Sequence, residues 1–180
     1  MAGFAEPIHL ARRFLGSIRP GPPAAADEAW ARRHLGDGEI RLWERMSNPD
    51  RRHAVGVARA VVAELGDESS TPPVVAAALL HDVGKVVSGY RTPARVVATL
   101  VWAAVPVGDR SARAEAWAER PWPWRRMGEY RRHPELGEAL LIEAGADPLT
   151  SNWAGDHHRP VDRWRVAPEI AAVLKACDDD

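Results

Sequence analysis

The chain has 180 residues, a formal charge of −1 and a pI of about 6.7, so it carries no bulk electrostatic footprint for duplex nucleic acid. Hydrophobic residues at 46% and charged residues at 27% are the proportions of an ordinary globular protein, with material for one domain and a real core. A single cysteine, Cys177, excludes an internal disulfide framework and fits a reducing compartment.

No apolar run of signal length follows Arg12 and Arg13. The longest apolar stretch, residues 96–107, contains Pro106 and falls well short of the ~20 residues a membrane span needs. It reads as a buried helix, and the expectation is a cytoplasmic protein without a transmembrane segment.

In chain order, residues 7–18 pattern as a short helix with Ile8, Ala11, Leu15 and Ile18 on one side. Residues 19–26, rich in proline and alanine, read as a linker, so residues 1–26 form an extension and 27–180 the domain. Asp27 is the expected N-cap of a helix to Leu35, broken at Gly36-Asp37-Gly38 and resuming to Met46. Asn48-Pro49 opens a helix with Val55, Ala58, Val62 and Leu65 on its apolar face, ended by Gly66. Thr71-Pro72-Pro73 starts a helix with almost no polar face, through Leu80 to His81-Asp82 and a stop at Gly84; this is the expected central helix.

Thr92-Pro93 opens another apolar helix, residues 109–119 are amphipathic, and Pro121-Trp-Pro-Trp124 reads as a rigid connection. His133 precedes Pro134, which predicts a helix N-terminus there, with the helix running to Ala144. Asp147-Pro148 starts a helix into His157-His158, and after an irregular loop Pro168 opens the last one, which carries Cys177 and Asp178. No stretch alternates as a strand does, so the fold class is all-α, a bundle of about six to nine helices.

Polar, metal-competent side chains sit at the ends of these apolar helices. A His-Asp pair closing a buried helix is costly unless something compensates it, and a divalent cation does so. Taken singly, His53 on an amphipathic helix, His133 before a proline, His157-His158 in a polar stretch and Asp178 in a terminal acidic run all have ordinary explanations. Taken together, His53, His81, Asp82, His133, His157, His158 and Asp178 make a candidate metal-ligand set. Asp82 is the candidate bridge between two ions, one on each oxygen. Imidazole and carboxylate ligands without thiolate suit Mn, Fe, Co, Ni or Zn. Only Lys85 and Lys175 are lysines among 24 basic residues, and each lies three positions from a candidate aspartate. This spacing suggests a compact ammonium wanted near the site.

The order His53, His81-Asp82, Asp178 resembles the HD-domain superfamily of metal-dependent phosphohydrolases over about residues 48–178. His133-Pro-Glu-Leu-Gly, His157-His158 and Leu-Lys-Ala-Cys-Asp178 resemble the binuclear branches, including the HD-GYP phosphodiesterases. The resemblance implies two divalent ions, a water nucleophile and Lys85 on a substrate phosphate. Arg51, Arg52 and Arg91 are further candidates for bidentate contact with that phosphate. The implied partner is a small phosphorylated substrate, nucleotide-like in class. Residues 159–163 read Arg-Pro-Val-Asp-Arg where the HD-GYP group has glycine-tyrosine-proline, which argues against cyclic di-GMP.

Two rival readings share the pattern: an HD-fold diiron oxygenase, and a non-catalytic module that binds a nucleotide or partner. Residues 86–132 read as a lid or wall beside the site. Trp102, Trp122, Trp124, Trp153 and Trp164 are assigned by default to core packing, and Cys177 to the core as a small residue.

Overall fold

The structure, a computed structural model, describes residues 21–90, 94, 97–98, 101–102 and 105–179, and every regular element among them is helical. In order these are α1 (Ala25–Arg32), α2 (Asp37–Arg45), α3 (Asn48–Ser69), α4 (Pro72–Leu80), α5 (Lys85–Ser88), α6 (Arg110–Ala118), α7 (Trp124–Arg131), α8 (His133–Glu143), α9 (Pro148–Asp156) and α10 (Pro168–Asp179). Short 3-10 turns cover Val107–Asp109 and Val161–Arg163. The expected helix at 7–18, the Thr92-Pro93 helix start and Arg91 lie outside the described residues.

Helix α4 is central. Every residue from Val74 to Leu80 is buried, because the helix offers no polar face to turn outward. It packs between α3 and α9; α8 packs on α9, and α10 closes against α3. Trp43, Leu79, Leu80, Leu141, Trp153 and Leu174 fill the core around it. Each such side chain contributes about 1.5–3 kcal/mol of burial. That burial fixes where α4 ends, and so carries His81 and Asp82 into the middle of the molecule.

A second, smaller apolar cluster forms from the segment after α5. Ala98, Trp102, Ala114, Trp117 and Met127 are its buried members, with Tyr90, Val105 and Tyr130 packed against them. It joins the main body through α7, which leads directly into α8 at His133. Trp102, Trp153 and, partly, Trp164 do pack as expected, and Cys177 packs partly buried against the main core. Trp122 and Trp124 do not: they are 73% and 40% exposed. Trp122 lies in the turn before α7 and Trp124 opens that helix, where it leans on Trp117 at the edge of the second cluster, 5.1 Å between ring centroids.

Several boundaries differ from the sequence pattern. Helix α1 starts at Ala25 with Ala24 as its N-cap, since alanine is the best helix former and extends the helix backward. Asp27 falls instead in the first turn, facing the positive end of the helix dipole. The helix ends at Arg32, not Leu35. Ser47, not Asn48, caps α3: its hydroxyl accepts from the Asp50 N–H. Gly66 does break α3, with φ +73°, but the chain turns helical again as far as Ser69. Gly84 is not a left-handed stop. Its φ is −61°, and a Cβ there would collide with the His133 carbonyl oxygen. Glycine is required because the turn after α4 lies directly against the start of α8.

Candidate metal centre

One local device recurs at three helix ends. The last carbonyls of an α-helix lack intrahelical partners. His81, just beyond α4, uses one: its Nδ1–H donates to the Ala78 carbonyl at 2.9 Å. His133 donates likewise to Tyr130 in the last turn of α7 at 2.8 Å. His157 donates to Ala154 at the end of α9 at 2.9 Å. A carbonyl only accepts, so the proton is assigned to Nδ1 and each ring presents Nε2. The Nε2 atoms of all three are buried without a hydrogen-bond partner. Three orphaned ring nitrogens in one place are unusual for a folded interior, where buried polar atoms are satisfied. Backbone-held imidazoles of this kind are typical of metal ligands.

The three converge on Asp82, whose two oxygens face different neighbours. Oδ1 lies 3.3 Å from His133 Nε2 and 3.8 Å from His157 Nε2. Oδ2 lies 3.5 Å from His81 Nε2 and accepts from the Lys85 ammonium. Asp178, from α10, places Oδ1 3.1 Å from His53 Nε2 and 3.3 Å from His81 Nε2. His53 itself rises from the second turn of α3. His158 is exposed, with its ring 4.1 Å from His157 and 5.2 Å from His133. Two groups could hold a metal ion: His53, His81 and Asp82 in one, His133, His157 and His158 in the other, each with ligand atoms within 4.8 Å of one another. All seven candidate ligands named from the sequence therefore meet in one place, from α3, the α4–α5 turn, the starts of α8 and α10's last turn, and the end of α9.

The charges are strongly coupled. Burial disfavours a His81 imidazolium, but the Asp82 and Asp178 carboxylates outweigh it and lift its pKa to about 10. Burial likewise disfavours an Asp82 carboxylate, yet Lys85 and His81 hold it well below the usual range. Asp178 is held low against its own burial by the hydrogen bond from His53 and by the His81 ring beside it. Burial pushes His133 down. Burial, then the adjacent His157 and His133, push His158 down to about 3. The positive charge that faces these carboxylates comes from a proton on His81 and from the ammonium of Lys85, whose pKa Asp82 and then Asp50 raise against its burial.

Supporting residues were less legible in the sequence. Asp156, fully buried beside His157, accepts from the Arg165 backbone N–H at 2.8 Å and from its guanidinium at 2.7 Å. Arg165 also holds Glu138 of α8, at 2.5 Å. This network ties the loop after α9 onto α8 and fixes the end of α9 that carries the histidine pair. Asp50, one turn before His53, and the Asp156–Arg165–Glu138 set carry no sequence signal beyond ordinary surface charge.

Other basic residues serve different partners. Arg51 pairs with Glu28 at 3.3 Å and Asn48 at 2.7 Å, and lies over Trp43. Arg52 donates to the Gly21 carbonyl. Lys175 turns to Asp179 at 2.8 Å and not to Asp178, because the i,i+4 spacing on α10 favours that pair. No helix among the described residues is long and apolar enough to cross a membrane. No family model matches the chain, and no curated protein or solved structure matches it.

Proposed function

We propose that the chain is an HD-type phosphohydrolase that cleaves a phosphate mono- or diester of nucleotide-like class with two divalent ions. The observation that carries this reading is the split carboxylate. Asp82 turns one oxygen to the His133–His157 side and the other to the His81 side, and the buried imidazoles around it present orphaned Nε2 atoms. That donor set, two carboxylates and five imidazoles without a thiolate, fits first-row divalent ions.

His53, His81, Asp82 and Asp178 would hold one ion; Asp82, His133, His157 and His158 the other. Divalent ions so held would lower the pKa of a water to near neutral and offset charge on a phosphoryl group. Asp82 would belong to both sites. Lys85, one turn from Asp82, supplies a donor for a non-bridging phosphate oxygen. Arg52, adjacent to His53 on α3, and Arg91 are secondary candidates for that oxygen. Exposed His158 marks the side of the cluster open to solvent, where a substrate would approach.

The test is elemental analysis of the purified protein coupled to an anaerobic screen of phosphate esters and nucleotides. Metal-dependent hydrolysis without oxygen, lost in Asp82→Ala with folding intact, is the expected result. Bound iron with oxygen consumption and no anaerobic hydrolysis would assign the oxygenase reading instead. Bound metal with no turnover would assign the non-catalytic module.

A further inference from the structure

Lys85 stands where a metal ion's charge would act. Its ammonium contacts Asp82 Oδ2, the same oxygen that faces His81 Nε2 in the His53–His81–Asp82 group. A metal cation on that oxygen and an ammonium on it repel each other, so the two compete for Oδ2. Lys85 has somewhere to go: its side chain is 19% exposed, on a flexible four-carbon stem.

Resting on the two-metal reading above, we infer that Lys85 is a metal-released phosphate ligand: it neutralises Asp82 in the metal-free protein and is freed for an incoming phosphate oxygen only when an ion takes its place on that carboxylate. This pairing does two things at once. It keeps the buried Asp82 carboxylate from standing unpaired in the metal-free chain, which is strongly destabilising. It also makes anion binding conditional on metal loading, since the Lys85 ammonium is engaged with Asp82 until then.

The composition of the chain makes the test direct, because Lys85 and Lys175 are its only lysines. The full-length protein is stripped with chelator, then labelled with an amine-acetylating reagent with and without Zn²⁺, and the two lysines are followed by peptide mass spectrometry. Lys85 should label severalfold faster once Zn²⁺ is bound, while Lys175, paired with Asp179, keeps one rate. Calorimetric titration of Lys85→Met should show Zn²⁺ binding at the His53–His81–Asp82 group strengthened, by about tenfold, because the internal competitor is gone. A group with only a structural role gives the opposite sign.

Unchanged or slower Lys85 labelling in protein that has bound Zn²⁺ overturns the inference and leaves the metal reading standing. So does a folded Lys85→Met variant that binds Zn²⁺ no better than the wild type. If that variant does not fold, the labelling rates of the wild type decide alone. No Zn²⁺ uptake by the wild type overturns both.

Discussion

Asp82 is the residue that both groups of candidate ligands approach. Its two oxygens are divided between them, so its loss should not resemble the loss of any single histidine. Asp82→Asn is expected to lower affinity for both ions by more than the 10–100-fold typical of outer-shell changes. His133→Ala should remove one ion and leave the His53–His81–Asp178 side able to hold the other. Metal stoichiometry of the two folded variants checks this; equal losses would contradict the division of the carboxylate.

The same residues set a pH dependence. His81 has its pKa raised from an ordinary 6.5 to about 10 in the metal-free fold. Its protonation therefore contributes stability that is fully present below about pH 6.5 and is lost as pH rises through about 10. Asp82 and Asp178 are shifted the other way, so their contribution is present above the ordinary carboxylate range and lost as pH falls below it. The melting temperature of chelated protein should fall between pH 7 and pH 10, and His81→Gln should flatten that slope. An equal fall in the variant would place the titration elsewhere. Because the ion must displace the His81 proton, metal affinity should rise over the same interval.

At the scale of elements, the site is built from helix ends held at fixed distances. Gly84 is the point where the turn after α4 touches the start of α8. Gly84→Ala forces a Cβ into the His133 carbonyl, which is backbone and cannot swing aside. The expected cost is about 1–3 kcal/mol of stability, as for other overpacked sites. Weaker binding at the His133 side should accompany it, read by denaturant titration and metal stoichiometry. Arg165→Met should cost about 1–3 kcal/mol by leaving buried Asp156 with fewer donors. It should also weaken the His157–His158 side more than the His53 side.

Which elements form was largely legible in the sequence, because caps, prolines and apolar periodicity are local signals. Asn48-Pro49, Thr71-Pro72 and Asp147-Pro148 each mark a helix start to within a residue. Where the reading slipped, a longer-range contact or a competing local preference decided. Gly84 looks like a helix stop in sequence, and only its approach to α8 reveals why it is glycine. Ala25 reads as linker until helix α1 extends back over it. Trp122 and Trp124 read as core by composition, but no element brings a pocket to them.

At the scale of the whole molecule, burial of α4 sets the position of the site. The seven candidate ligands were legible as polar residues at the ends of apolar helices, and their order carried the family resemblance. Their common meeting point is a consequence of packing: α10 against α3 brings Asp178 to His53, and α9 against α4 brings His157 to His81. The supporting groups could not be found in the sequence. Arg165 and Glu138 look like surface charges until the loop after α9 folds back, and Asp50 looks like a helix-capping acid. Since an ion would bind the folded cluster and not the unfolded chain, loading should stabilise the protein by about 2.7 kcal/mol at a hundred times the dissociation constant. Chelation should reverse that gain in a thermal melt.

The most direct measurement is native mass spectrometry of the full chain after metal loading, run beside Asp82→Asn. Two ions per wild-type chain and none retained by the variant is the expected outcome. A wild type that carries no ion, or a folded variant that still carries two, would show that the clustered imidazoles and carboxylates do not form a shared metal centre.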